Sequence, residues 1–196
     1  MKLMKLSPYS YILIWAMTLM LTCNSVRADV VKDVLVPPRI PCQGTILTLN
    51  GTAIRSKWGF NVYVVALYLN EKMHSAETIM SDREHKRIHI TMLRGVSKKQ
   101  FVSTIHKSIK INFSEDEQKL FATQLKAFMA CFGGGSSLDR FSTINVDYVP
   151  NKGMLVEVND GKAKLIPGEQ FYHAILRLWI GQPLQASIKT GLVGKN

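Results

Sequence analysis

Apolar and polar residues alternate in several short segments of the chain, and this pattern predicts β-strands. The most apolar of these segments is Phe60–Leu69 (FNVYVVALYL). Both of its alternating faces are largely apolar, so we expect this strand to be covered on both sides of a sheet. Lys86–Met92 and Phe141–Val149 alternate in the same way, and the proline-rich segment Asp29–Pro41 is predicted to be extended at a sheet edge.

Turn residues between these segments predict two hairpins. Asn50-Gly51 separates the strand Thr45–Leu49 from the strand Thr52–Lys57, and this dipeptide is typical of a tight turn. A second hairpin is predicted across Asp160-Gly161, between the strands Met154–Asn159 and Lys162–Ile166.

Apolar residues at helical spacing predict four helices. Ser97 is predicted to cap the first, and Ser114–Glu117 matches a capping box that opens the second. The other two are predicted at Glu169–Ile180 and Leu184–Leu192. Gly133–Ser137 is predicted to be a connection, because a phosphate-binding loop would follow a strand and open a helix. Since no linker or low-complexity segment divides these elements, residues 29–196 are predicted to form a single α+β domain, with helices covering a large antiparallel sheet.

The first 28 residues have the pattern of a cleaved secretory signal. A positively charged start is followed by the uncharged apolar run Tyr11–Thr22 and by Val26-Arg27-Ala28, which predicts cleavage before Asp29. An uncleaved anchor is disfavoured, because a membrane-spanning helix needs about 20 apolar residues. A lipoprotein attached at Cys23 is disfavoured because small residues do not precede that cysteine. The expected location is therefore the periplasm of a bacterium.

Removal of this segment changes what the charge implies. The whole chain has a formal charge of +11, and cleavage would leave 168 residues with a charge of +8, since three basic residues and no acidic ones are lost. Most remaining basic residues fall on the polar sides of predicted helices, and no aromatic platform or reading helix accompanies them. We therefore expect no nucleic-acid partner, and peripheral contact with a membrane or with envelope proteins stays open.

The sequence contains no pattern that predicts a metal site, a cofactor or a catalytic residue. His85 and His89 fall on a predicted strand, roughly 13 Å apart at the rise of an extended chain. No serine occupies a nucleophile-elbow pattern, and no evident base accompanies Cys42 or Cys131 in the sequence. Whether these two cysteines form a disulfide in the oxidising periplasm or stay as free thiols is left open.

At one place, a ligand would explain why polar residues interrupt the apolar strands. Arg55, Trp58, Asn61 and Tyr63 lie beside uniformly apolar strand. An arginine that enters a covered sheet is costly unless an anion meets it, and a carboxylate on an apolar ligand would serve. The spacing alone favours the alternative, in which Arg55 points into solvent near the turn.

Three segments of the chain resemble the chalcone isomerase-like family, and in particular its bacterial exported branch. They are LNGTAIRSKWGFNVYVVALYL (Leu49–Leu69), RIHITMLRGVSKKQF (Arg87–Phe101) and FYHAILRLWIGQPLQASIKTGLVG (Phe171–Gly194). The resemblance implies a large antiparallel sheet covered by helices, an open-faced β-sandwich with a pocket between the layers. Members of the family either close chalcones to flavanones or bind fatty acids, and in both an arginine equivalent to Arg55 meets the anionic oxygen of the ligand.

The other pocket positions of the enzymes do not carry over. Their threonine falls at Tyr63, their tyrosine and asparagine near Phe101 and Ser108, and their late threonine or serine at Leu178. Because the reaction needs placed hydrogen-bond donors for the developing enolate, this pattern disfavours catalysis. We therefore interpret the chain as a binding protein for a small apolar acid such as a fatty acid, held by Arg55, Tyr63 and Asn61. An intramolecular lyase acting on a chalcone-like or other enone substrate is the alternative, and a structural envelope protein is the third.

Overall fold

A seven-stranded antiparallel sheet is the centre of the fold. The structure is a computed structural model, and it describes residues 29–132 and 137–194. The strands of the described residues are β1 Asp29–Val31, β2 Val34–Val36, β3 Arg39–Cys42, β4 Thr45–Lys57, β5 Phe60–Leu69, β6 Lys86–Met92, β7 Val96–Ser97, β8 Ser137–Leu138, β9 Thr143–Val149, β10 Gly153–Val158 and β11 Lys164–Pro167. The strand order of the sheet is β11-β10-β9-β6-β5-β4-β3. A short hairpin, β1 and β2, precedes the sheet, and β7 pairs separately with β8.

Six helices lie among the described residues, and most of them pack on one face of the sheet, here called the inner face. Their bounds are α1 Ala76–Ser81, α2 Lys98–Asn112, α3 Glu115–Leu120, α4 Ala122–Ala130, α5 Glu169–Ile180 and α6 Ala186–Val193. The predicted α+β class and the antiparallel sheet covered by helices are confirmed. The predicted secretory segment falls on residues 1–28, outside the described residues. Of the predicted connection Gly133–Ser137, residues 133–136 also fall outside them, and Ser137 begins β8.

The caps predicted for the helices are present. The Ser97 hydroxyl accepts a hydrogen bond from the Gln100 backbone at the start of α2. At α3, Ser114 and Glu117 exchange the two hydrogen bonds of a capping box. The single helix predicted after Ser114 is interrupted, because the backbone leaves helical geometry at Phe121.

Strand β5 is covered on both faces, as its two apolar faces predict. Val65, Leu67 and Leu69 belong to the main core with the helices on the inner face. Val64 and Tyr68 belong to a smaller core on the outer face, which the β1–β2 hairpin covers. The proline-rich segment that was predicted to be extended therefore forms this hairpin and the edge strand β3.

The hairpin predicted at Asn50-Gly51 is wrong. Strand β4 continues through these residues, and only a shift in its register with β5 marks the position. The chain turns instead at Trp58 and Gly59, both with positive φ, between the paired residues Lys57 and Phe60. Asn50 is buried, and its polar side chain is satisfied there, because it donates to the Leu192 carbonyl oxygen and accepts from the Met73 backbone N–H.

The outer face of the sheet beyond the small core carries paired polar side chains. Arg87 makes two 2.6 Å hydrogen bonds to the buried carboxylate of Asp147 on the neighbouring strand. His89 lies 2.7 Å from the Asn145 amide oxygen and 3.1 Å from the Thr91 hydroxyl. Because each group has a partner, this face tolerates burial without a ligand.

Cys42 and Cys131 are both free thiols, which answers the question that the sequence left open. Cys42 packs in the outer-face core, whereas Cys131 packs against the main core. The sheet lies between the two cores, so the two sulfurs cannot pair within this fold.

Candidate functional site

A small cavity lies between the inner face of the sheet and the helices α2, α5 and α6. Its volume is about 40 Å³. The residues that line it are Arg55, Tyr63, Ile90, Phe101, Thr104, Ile105, Ser108, Leu178, Trp179, Leu184 and Ile188. The wall is therefore mostly apolar, with one cation and a few hydroxyl groups.

Arg55 reaches the cavity from β4 and is half-buried. Its Nη1 donates to the Ser56 carbonyl oxygen at 2.6 Å and to the Gln185 amide oxygen at 3.0 Å. Among the described residues, no carboxylate lies within 4.0 Å of it, so every acceptor that it meets is neutral. The alternative in which Arg55 simply points into solvent does not hold, because its side chain forms part of the cavity wall.

Tyr63 lies directly opposite Arg55 on the neighbouring strand β5, and the two side chains share the inner face. Burial raises the pKa of Tyr63 to about 12, an effect that the nearby Arg55 charge and Trp179 side chain only partly oppose. The phenol is therefore protonated at neutral pH and can donate a hydrogen bond. Arg55 and Tyr63 together offer two donors to one side of the cavity.

Asn61 does not reach the cavity, which corrects the expectation that it shares a site with Tyr63. The pairing of β4 with β5 shifts between Arg55 and Ser56, so Val62 is an extra residue on the β5 side. Such a bulge breaks the alternation of side chains along the strand. Asn61 therefore pairs with Ser56 on the opposite face, where its amide oxygen accepts from the Ser56 hydroxyl at 2.9 Å.

Gln185 is a site residue that sequence reasoning missed. It stands immediately before α6, and its amide oxygen accepts from both Arg55 Nη1 and the Ser56 backbone N–H, at 3.0 and 2.9 Å. Its amide nitrogen donates to the Ile54 carbonyl oxygen at 3.0 Å. The side chain thus pairs with the edge of β4 as a neighbouring strand would, and no spacing in the sequence indicates this role.

Helix α6 closes the cavity by lying unusually near β4. A Cβ atom added at Gly51 would lie 2.2 Å from the Gly191 carbonyl oxygen, and one added at Gly191 would lie 2.4 Å from the Thr52 carbonyl oxygen. Side chains are thus excluded on both surfaces. This close approach holds Leu184 and Ile188 over the cavity.

The positions that the family resemblance assigns to the pocket meet at this cavity. Phe101 and Ser108 of α2 and Leu178 of α5 all line it beside Arg55. Phe101 and Leu178 are apolar, so at these two positions the side chain cannot form the hydrogen bond that the resemblance ascribes to the enzymes, whereas Ser108 keeps a hydroxyl. Thr104, one turn before Ser108, adds a hydroxyl to the wall that the family resemblance does not assign to the pocket.

The chemistry of the cavity suits binding of an anion with an apolar body. None of its described lining residues is a histidine, a cysteine or an acid, so the wall offers neither a nucleophilic thiol nor a general base of these types. Over residues 29–132 and 137–194, no three side chains are grouped to hold a metal ion. In the same part of the chain, no helix is long and apolar enough to cross a membrane.

Comparisons with known proteins agree with this fold. A solved fatty-acid binding protein from Arabidopsis thaliana has a similar fold, with a TM-score of 0.66 and 17% sequence identity over 85% of this chain and 96% of that one. A search of curated proteins returned no match. A family model described as chalcone isomerase-like matches residues 28–194, and the chain therefore belongs to the chalcone isomerase-like family.

Proposed function

We propose that this protein binds a small apolar carboxylic acid, such as a fatty acid, in the cavity between sheet and helices. The observation that carries the proposal is the position of the Gln185 amide oxygen, where the Arg55 guanidinium and the Ser56 N–H converge. A carboxylate oxygen at this position would accept the same two hydrogen bonds, and ionised acceptors form stronger ones. Tyr63 would donate a further hydrogen bond, and the apolar wall would hold the tail.

The ligand requires a wider cavity than this fold contains. About 40 Å³ holds a few water molecules, whereas pockets for small molecules measure about 300–1,000 Å³. Leu184 and Gln185 precede α6 and lie outside its close contact with β4 at Gly51 and Gly191, so they form the segment of the wall that would move aside. The Gln185 side chain joins this segment to β4 through hydrogen bonds. Exchange of Gln185 for a carboxylate would release that segment and widen the cavity at once.

Family membership and the solved relative support the same proposal. The chain belongs to the chalcone isomerase-like family, and a fatty-acid binding protein has a similar fold. We place the binding in the periplasm, on the strength of the charged start, the apolar run and the Val26-Arg27-Ala28 pattern at the beginning of the sequence.

Native mass spectrometry of the protein recovered from a bacterial periplasm tests both parts. The expected mass is that of a chain beginning at Asp29 together with a bound acid of a few hundred daltons at most. Added fatty acid at about 100 times its dissociation constant should then raise the melting temperature by about 5–10 °C. No copurifying acid and an unchanged melting temperature would contradict the proposal.

Substitution of the arginine sharpens the test. Arg55→Gln removes a charged hydrogen-bond donor, so we expect at least a roughly tenfold loss of affinity for the acid. Arg39→Gln is the matched control, because Arg39 is exposed on the edge strand β3. A methyl ester of the same acid should bind both proteins equally weakly, since it lacks the charge.

Turnover of a chalcone panel separates this proposal from the alternative of an intramolecular lyase. The hydroxyls of Tyr63, Thr104 and Ser108 are the donors that such a reaction would use. A change in chalcone absorbance that Arg55→Gln abolishes would favour catalysis over binding alone.

A further inference from the structure

Every exposed aromatic side chain among the described residues lies at one end of the sheet. Trp58 is 87% exposed, Phe60 is 61% exposed and Phe141 is 51% exposed. Trp58 and Phe60 belong to the β4–β5 hairpin, and Phe141 lies just before β9. The pairings of β5 with β6 and of β6 with β9 bring these strand ends to the same side.

Each of these rings carries a basic side chain. Lys57 Nζ lies 4.4 Å from the Trp58 ring, and the Arg94 guanidinium lies 4.9 Å from the Phe60 ring. Arg140 covers Phe141 at 4.6 Å and also forms an exposed ion pair with Asp33. Aromatic rings beside lysine and arginine are the combination that suits the boundary between water and a bilayer.

Neither packing nor backbone geometry accounts for Trp58. It has a positive φ in a two-residue turn, where asparagine, aspartate or glycine is preferred. Its side chain is almost fully exposed, so the chain places a large apolar ring at a position that is costly for it. A partner outside the chain would explain the choice.

The charges around the hairpin favour an anionic partner. Strands β4 and β5 and helix α2 contain no aspartate or glutamate, and α2 begins with Lys98 and Lys99. A groove of about 280 Å³ runs from Trp58 and Phe60 to the first turns of α2. Thr104 lines both this groove and the cavity, so the aromatic end of the sheet adjoins the binding site.

We propose that the β4–β5 hairpin docks on a membrane surface containing anionic lipid, with Trp58 and Phe60 entering the interface and Lys57 and Arg94 facing the lipid phosphates. The contact is peripheral and places the groove beside the bilayer. The inference goes beyond the proposed function, because the surface contacts lipid whether or not an acid occupies the cavity.

Cosedimentation with vesicles tests the proposal on the chain that begins at Asp29, which contains every element of the described fold. We expect binding to phosphatidylcholine vesicles that contain phosphatidylglycerol, weaker binding to phosphatidylcholine alone, and release by added salt. The double variant Trp58→Ser/Phe60→Ser should lose roughly tenfold or more in partitioning. Leu120→Ser is the matched control, because Leu120 is 68% exposed on α3, away from this end of the sheet.

Fluorescence provides a second readout that does not depend on the hairpin variant. In a Trp179→Phe background, Trp58 is the remaining tryptophan of the chain that begins at Asp29. Vesicles should therefore shift its emission to the blue and protect it from an aqueous quencher. An unshifted, unprotected Trp58 would overturn the proposal, as would equal binding by the hairpin variant and Leu120→Ser. A doubled mass in solution that the hairpin variant abolishes would also overturn it and assign the surface to a dimer. The vesicle assay contains no added acid, so it can fail independently of the ligand assay.

Discussion

Gly51→Ala is the substitution that tests most directly how the cavity is closed. The new Cβ atom would lie 2.2 Å from the Gly191 carbonyl oxygen and 2.6 Å from the Leu192 carbonyl oxygen. Both are backbone atoms of α6, which cannot rotate away as a side chain would. The helix must therefore retreat by about 1 Å to restore ordinary contact, and this overpacking costs about 1–3 kcal/mol.

The retreat also strains the hydrogen bond that the Asn50 side chain donates to Leu192 at 2.8 Å. Loss of a buried hydrogen bond adds about 1 kcal/mol. The total of about 2–4 kcal/mol corresponds to a fall in melting temperature of about 4–16 °C for a chain of this size.

Urea unfolding followed by tryptophan fluorescence measures this loss. Gly95→Ala is the matched control, because a Cβ atom at Gly95 meets nothing within 4 Å and the residue does not have a positive φ. We expect that control to lie within about 0.5 kcal/mol of the wild-type protein or slightly above it. If Gly51→Ala unfolds at the same urea concentration as Gly95→Ala, then α6 does not press on β4 as described.

Two further predictions concern pH and the amide before α6. Burial lowers the pKa of His89 below its ordinary 6.5, and the neutral ring suits both Asn145 and Thr91. As the pH falls, the unfolded chain therefore binds the proton before the folded protein does. The contribution of His89 to the free energy of unfolding is complete above about pH 6.5 and declines below it. In urea titrations at several pH values, we expect a steeper decline for the wild-type protein than for His89→Gln. Gln185→Glu places an internal carboxylate beside Arg55, so we expect this variant to bind fatty acid roughly tenfold more weakly than the wild-type protein in calorimetry. The Gln185→Met side chain has no carboxylate and should not compete with the ligand for Arg55. Equal affinities of Gln185→Glu and Gln185→Met for the acid would show that the ligand does not use this position.

The sequence predicts the sheet better than it predicts where the chain turns. The alternation in Phe60–Leu69 reports burial on two faces, and that burial is local to the strand. Asn50-Gly51 has the composition of a turn for a different reason, because Asn50 bonds to α6 and Gly51 makes room for it. These causes lie about 140 residues further along the chain, so a local pattern cannot separate them from a turn.

The site follows the same rule. Arg55 and Tyr63 were predicted together, and the cross-strand pairing does place them together. Asn61 was assigned to the wrong face because the bulge at Val62 shifts the alternation by one residue, and the sequence has no marker for it. Gln185 contributes through a side chain that replaces a strand, which depends on where α6 docks.

The acceptors around Arg55 are neutral, and this keeps its charge available to a ligand carboxylate. An internal carboxylate would form charged hydrogen bonds of about 1.5–3 kcal/mol, and a ligand would gain little by replacing it. The Gln185 amide is a neutral acceptor, so its hydrogen bond with the Arg55 guanidinium is charged on the donor side only. A ligand carboxylate at the same position would add the attraction of opposite charges, so the exchange is favourable. Because β4, β5 and α2 contain no acidic residue, a ligand carboxylate would also meet no like charge from these elements. The excess of basic over acidic residues thus matters at the cavity because no acidic residue of these elements competes with a ligand for Arg55. An uncharged ligand of the same shape would gain nothing from this arrangement.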